Sequence, residues 1–149
     1  MSKFNIDTLE ASSPQLVESC VTLLFNAFAK PERYSAQRLA EELRGNASPY
    51  YRQFFIAMTS GEIVGVGGVK AADWASNTHI LYLSAVAPTH RRQGVGHALI
   101  KARVDWLEKT FDSGRILVSS SKIKRFREHG FTPIRKSDVD GQHLLIRRF

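Results

Sequence analysis

Cysteine is nearly absent from this chain of 149 residues. Cys20 stands alone, so no internal disulfide can form and no cysteine metal cluster can be assembled. It sits in the apolar helical pattern LVESCVTLLFNAF, where a buried, inert thiol is the expectation. The five histidines, His79, His90, His97, His129 and His143, show no ligand spacing such as H-E-x-x-H, so no protein-bound metal is expected. Long apolar runs are missing too, and none approaches the roughly 20 residues that a bilayer demands. Met1 to Leu9 is mixed polar and carries Asp7 where a leader would have an apolar core, which points to a cytoplasmic protein away from membranes. Repeats, low-complexity tracts and linkers are absent. Acidic residues are in deficit, 14 against 21 Lys and Arg, and the net charge of +7 favours an anionic ligand or partner. Nucleic acid is one candidate, but the basic residues form no long run, and a phosphate-bearing small molecule explains the charge equally well.

What is present suits one domain over 1–149, long enough to bury roughly 70% of its unfolded surface. Phe4 to Leu9 predicts a first strand. Ser12, Ser13 and Pro14 open a helix with Leu16, Val17, Cys20, Val21, Leu24, Phe25 and Phe28 at helical spacing, ended by Pro31. Ser35 caps a second helix carrying Leu39 and Leu43, stopped by Gly45 with Pro49 beyond. Tyr51 to Met58 and Ile63 to Val69 read as a hairpin around Thr59-Ser60-Gly61-Glu62. Glycines 65, 67 and 68 in the second strand signal a bulge or close packing. Thr78 to Val86 is a central strand. The helix after it, Gly94 to about Thr110, aligns Val95, Ala98, Leu99, Ala102, Trp106 and Leu107 on one face and leaves Lys101, Arg103, Asp105, Glu108 and Lys109 mostly elsewhere. Arg115 to Val118 suits a buried strand, Ser119 to Ser121 can cap a last helix through His129 with Gly130 as a left-handed stop, and strands Thr132 to Lys136 and His143 to Phe149 bracket Asp138-Val139-Asp140-Gly141. This order predicts an α/β (α+β) three-layer plan, a mixed sheet of about six or seven strands with about four helices.

The organising stretch is Ile80 to Leu99, ILYLSAVAPTHRRQGVGHAL. A strand, Pro88, a basic turn and the pair Gly94 and Gly96 aim the first N–H groups of a helix at an anion, where glycine admits close approach. Arg91 and Arg92 add mobile positive charge, and a pyrophosphate is a good fit. The dinucleotide fingerprint is excluded because Leu99 stands where its third glycine belongs and no acidic residue closes the next strand. The phosphate loop of nucleotide hydrolases fails because no lysine follows either glycine.

The run Val86-Ala87-Pro88-Thr89-His90-Arg91-Arg92-Gln93-Gly94-Val95-Gly96-His97-Ala98-Leu99 closely resembles the acyl-coenzyme A motif of the GNAT superfamily of N-acetyltransferases, Arg/Gln-x-x-Gly-x-Gly/Ala after a strand ending Val-x-Pro. Arg125-Phe126-Arg127-Glu128-His129-Gly130-Phe131 looks like its second signature, an aromatic-rich helix ending Gly-Phe, and the element order matches over nearly the whole chain. The resemblance implies acetyl-CoA as co-substrate and a primary amine on a small molecule or peptide as acceptor. It implies that Ser84, Ala85 and Val86 hold the pantetheine arm by backbone hydrogen bonds. Arg91, Arg92, Gln93, Gly94, Val95 and Gly96, with the N–H groups of His97 and Ala98, would hold the pyrophosphate, and the Val86 N–H would polarise the thioester carbonyl. Phe28, Tyr34 and Trp74 would border the acceptor pocket, and a homodimer is left open.

The catalytic pattern departs from the family. The position of the tyrosine acid matches Phe126, and that of the glutamate base matches Ile80. Tyr82, His79 or one of Ser119, Ser120 and Ser121 then acts instead, or water and proximity suffice, or the chain binds coenzyme A as a sensing or interaction domain without turnover. Packing is the alternative role for Tyr82, and exposure at a strand end for His79. His90 and His97 read as solvated, and Lys122, Lys124, Arg125 and Arg127 as a solvated helix face or a contact to the adenosine 3′-phosphate.

Overall fold

The structure, a computed structural model, describes residues 4–10, 13–44, 50–136 and 141–149. A seven-stranded mixed sheet runs in the order β1-β2-β3-β4-β5-β7-β6. Its strands are β1 (Asn5–Thr8), β2 (Arg52–Thr59), β3 (Glu62–Ala71), β4 (Thr78–Val86), β5 (Arg115–Ser120), β6 (Thr132–Lys136) and β7 (His143–Arg148). Only β4 and β5 are parallel, because helix α3 (Val95–Thr110) carries the chain across between them. Helices α1 (Pro14–Phe28) and α2 (Ala36–Arg44) pack on a core of Val17, Cys20, Leu24, Leu39, Leu43, Phe54, Ile56 and Val66. A second core joins α3 to α4 (Ile123–Arg127) through Val95, Leu99, Val104, Leu107, Leu81, Val118 and Phe126. The three-layer expectation holds.

Local chemistry explains the boundaries. Ser13 caps α1, its hydroxyl accepting from the Leu16 N–H at 3.4 Å, and Ser35 caps α2 by accepting from the Arg38 N–H at 3.2 Å. Helix α1 stops at Ala29, in a left-handed conformation, two residues before Pro31. Ser60 and Gly61, with φ of 50° and 77°, form the tight turn between β2 and β3. The stop at Gly45 and Pro49, and most of the hairpin tip from Asp138, fall outside the described residues.

The last helix differs from the sequence reading. It spans only Ile123–Arg127, while Ser119 and Ser120 stay in β5 opposite Leu144 and His143 of β7. Pairing with β7 holds them in extended backbone, so the helix starts later, and the Ser120 hydroxyl instead accepts from the Lys122 N–H at 3.0 Å. Gly130, at φ 84°, lets Phe131 fold back edge-on to Phe126 at 5.3 Å.

His79 also departs from expectation. It is buried, not exposed, with its Nδ1 hydrogen-bonded to the Tyr51 hydroxyl and its ring 4.5 Å from that of Phe111. Burial lowers its pKa from 6.5. Above that pH the imidazole is neutral in both folded and unfolded chains. As the pH drops below it, the unfolded chain takes up a proton that the folded one resists, so stability falls. Melting should therefore occur a few degrees lower at pH 5.5 than at pH 7.5, and His79→Phe should lose part of that difference, His129 being lowered by burial as well.

Candidate active site

The site begins where two parallel strands separate. Residues Thr78 to Leu81 of β4 pair with Arg115 to Val118 of β5, but β4 continues to Val86 with β3 alone. The edge of β4 beyond Leu81 is therefore open toward β5. Ala87 donates its N–H to the Val64 carbonyl at 2.8 Å, so strand alternation turns the N–H and C=O of Val86 the other way, into the gap. Arg91 lies on that side, with Nε 3.4 Å from the Val86 oxygen.

A bulge shapes this half of β4. Val66 pairs with Ala85 and Gly68 with Tyr82, leaving Leu83 and Ser84 opposite Gly67 alone. Leu83 has φ of 46°, a conformation a leucine adopts only under constraint. As a result Tyr82 and Leu83 both lean on the α1–α2 core, and Ser84 turns toward α3. Beneath the bulge lies Arg103, 1% exposed, against the sequence reading that set it off the buried face. Its guanidinium donates to the carbonyls of Leu99 and Gly68, both at 3.0 Å, and to the Ser84 hydroxyl at 3.3 Å. Burial pushes it down to about 9, so it remains a cation at neutral pH. A Cβ on Gly67 would stand 2.8 Å from the Arg103 Cζ, which accounts for that glycine.

After Val86 a short turn over Pro88–His90 leads to Gly94, the N-cap of α3, at φ 84°. The glycine cap offers no side chain, so among the described residues the N–H groups of Val95, Gly96 and His97 have neither an intrahelical nor a side-chain partner. The Ala98 N–H, counted among the anion donors above, is committed to the Gly94 carbonyl at 3.0 Å. Arg91, Arg92 and Gln93 are exposed around this opening. Arg125 reaches over from α4, and a Cβ on Gly96 would come within 2.8 Å of its Nη1. His97, expected to be solvated, is half-buried with Nδ1 3.0 Å from His129 Nε2, tying the first turn of α3 to the end of α4.

On the other side of the bulge a cleft of about 700 Å³ opens between α2 and strands β2 to β4, lined by Tyr34, Leu39, Tyr82 and Leu83 among others. Tyr82 donates its hydroxyl to Glu42 at 2.8 Å, and Arg52 Nε lies 3.3 Å from the same carboxylate oxygen. Burial raises the phenol pKa well above its ordinary value, and the bond to Glu42 raises it further. Phe28 packs beside Tyr34, with the rings tilted and their centres 4.6 Å apart. Trp74 is 67% exposed on the connection between β3 and β4 and does not line the cleft. Nor does His79, which faces the aromatic cluster at the closed end of β4. Glu42, Arg52, Lys70 and Arg103 were not singled out from the sequence.

A family model described as the acetyltransferase (GNAT) family matches residues 18–131. The chain belongs to the GNAT acetyltransferase family. Comparison with curated proteins finds no match. Solved structures with the same GNAT fold include an acyl-CoA N-acyltransferase from Pseudomonas aeruginosa, 11% identical at TM-score 0.78, covering 97% of this chain and 99% of its own. The PaiA N-acetyltransferase from Thermoplasma acidophilum in complex with coenzyme A is 14% identical at TM-score 0.76, with both chains covered completely. The ribosomal-protein-S18-alanine N-acetyltransferase from Escherichia coli is 19% identical at TM-score 0.75, covering 97% and 93%. Among the described residues of this GNAT chain, no His, Cys, Asp or Glu cluster could hold a metal ion and no helix is long and apolar enough to cross a membrane.

Proposed function

We propose that this chain transfers the acetyl group of acetyl-CoA to a primary amine by direct attack in a ternary complex. The open edge of β4 beside the uncapped start of α3 carries the reading. One strand–turn–helix junction offers backbone partners for an extended arm and free donors for a pyrophosphate. Ser84, Ala85 and Val86 take the pantetheine arm. Val95, Gly96 and His97 take the pyrophosphate through their N–H groups, with Arg91, Arg92 and Gln93 at its rim. The Val86 N–H, turned into the gap, polarises the thioester carbonyl, a contribution of roughly 2.7–4 kcal/mol for one well-placed donor.

Proton handling falls to the acceptor cleft. Phe126 is buried in the core and has no proton to give, and Cys20, pushed up to about 12 by burial, is no nucleophile. Glu42, held by Tyr82 and Arg52, is the carboxylate beside the bulge, and it accepts the amine proton directly or through water while Tyr82 orients it. Positioning alone lowers a bimolecular barrier by roughly 7–11 kcal/mol, so turnover does not demand a dedicated acid.

Release of free thiol from acetyl-CoA, measured over a panel of amines, tests the reading. Acceptor-dependent release supports it. Tight acetyl-CoA binding with no release for any amine would replace the transferase by a binding domain, the alternative that Phe126 favours.

A further inference from the structure

We infer that the acceptor is a small amine carrying its own anionic group, a carboxylate or phosphate, within a few bonds of the reacting nitrogen. The inference rests on the cleft beside the bulge being the acceptor site. Its lining is strongly unbalanced in charge. Among the described residues Arg33, Arg38, Arg44, Arg52 and Lys70 face it, against two carboxylates, Glu41 and Glu42. Glu42 is already paired with Arg52, so it does not offset the others.

Lys70 is the cation that sets the geometry. It lies on β3 opposite Ile80, and its ammonium is held 4.5 Å above the centre of the Tyr82 ring instead of extending into solvent. No carboxylate among the described residues lies within ion-pair distance of Lys70 or Arg33. Arg33 is held over Tyr34 in the same way, 5.4 Å from its ring centre. A diamine or polyamine entering here would meet like charge, offset only by Glu41 and by Glu42, which is already shared with Arg52. An amine with an adjacent anion satisfies both halves of the cleft: its nitrogen lies toward Glu42 and Leu83, its anion on Lys70 and Arg33. Because Lys70 is poised over the residue just before the bulge, the two groups belong close together, as in an amino acid or an amino phosphate. A volume of about 700 Å³ is that of a small-molecule site.

The test uses matched pairs on the full chain: phenylalanine with its amide, phosphoethanolamine with ethanolamine, and putrescine as the cationic control. Calorimetry in the presence of coenzyme A measures binding apart from chemistry, and thiol release measures turnover. The anionic member of at least one pair should bind about tenfold or more tighter than its partner, with putrescine weakest. Whichever pair responds distinguishes carboxylate from phosphate. Lys70→Glu should abolish or invert that preference, and Lys70→Gln, which adds no repulsion, should reduce it. Equal binding within both pairs, tighter binding of putrescine, or a preference unchanged in both variants would overturn the inference. Selective binding without thiol release would leave it standing and remove the transferase reading instead.

Discussion

Gly96→Asp should weaken acetyl-CoA binding by about two orders of magnitude or more while leaving the fold at least as stable as before. The two effects have opposite signs for one physical reason. Gly96 is the second residue of α3, where an aspartate meets the positive end of the helix dipole and stabilises the helix by about 0.3–1 kcal/mol. It would also meet the Arg125 guanidinium, whose tip lies where its Cβ must go and is free to swing aside into an ion pair. The same carboxylate sits among the N–H groups proposed for the pyrophosphate, so it repels the ligand and occupies its donors. Calorimetry with acetyl-CoA beside a melting curve checks both halves. Unchanged affinity in a protein of undiminished Tm would move the pyrophosphate away from the head of α3.

The second large effect concerns Arg103. Arg103→Ala should cost about 2–5 kcal/mol, combining a cavity under the sheet with an unpaired Gly68 carbonyl, and lower Tm by roughly 2–4 °C for each kcal/mol. Arg103→Met refills the volume and removes a buried charge that has no carboxylate partner among the described residues, so much of the Tm should return. Turnover should not return with it. Methionine cannot bind Gly68 and Ser84 together, so the bulge relaxes, and a shift of about 1 Å near the reacting carbonyl lowers kcat by about 100-fold. A methionine variant with restored Tm and full kcat would show that Arg103 only fills space and does not position β4.

The fold was readable because its determinants are local. Caps at Ser13 and Ser35, the Ser60–Gly61 turn, the strand ending in Pro88 and the glycines at 94 and 96 each declare themselves within a few residues. The turn proposed for the anion was readable for the same reason. The contacts around the bulge were not, because Tyr82 meets Glu42 across 40 positions and Arg103 meets Gly68 across 35. A polar residue on an amphipathic helix reads as solvated by default, so Arg103 was set off the buried face and Glu42 drew no notice. The signal for Arg103 was present in two places: it lies four residues after Leu99 on the buried stripe of α3, and Gly67 leaves room opposite. His79, Ser119 and Ser120 show the converse. Their chemistry suggested function, while the structure places His79 in an aromatic cluster and Ser119 and Ser120 in a strand pair.

The extra residue at Leu83 gives β4 two reading frames. Odd-numbered side chains face the α3 layer up to Leu81, and even-numbered ones face it from Ser84 on. Counting by twos along the strand therefore gives the wrong address for every residue beyond the shift. The phase boundary falls close to where β4 parts from β5, so one half of the strand is locked in the sheet and keeps one frame, while the half that borders the gap keeps the other.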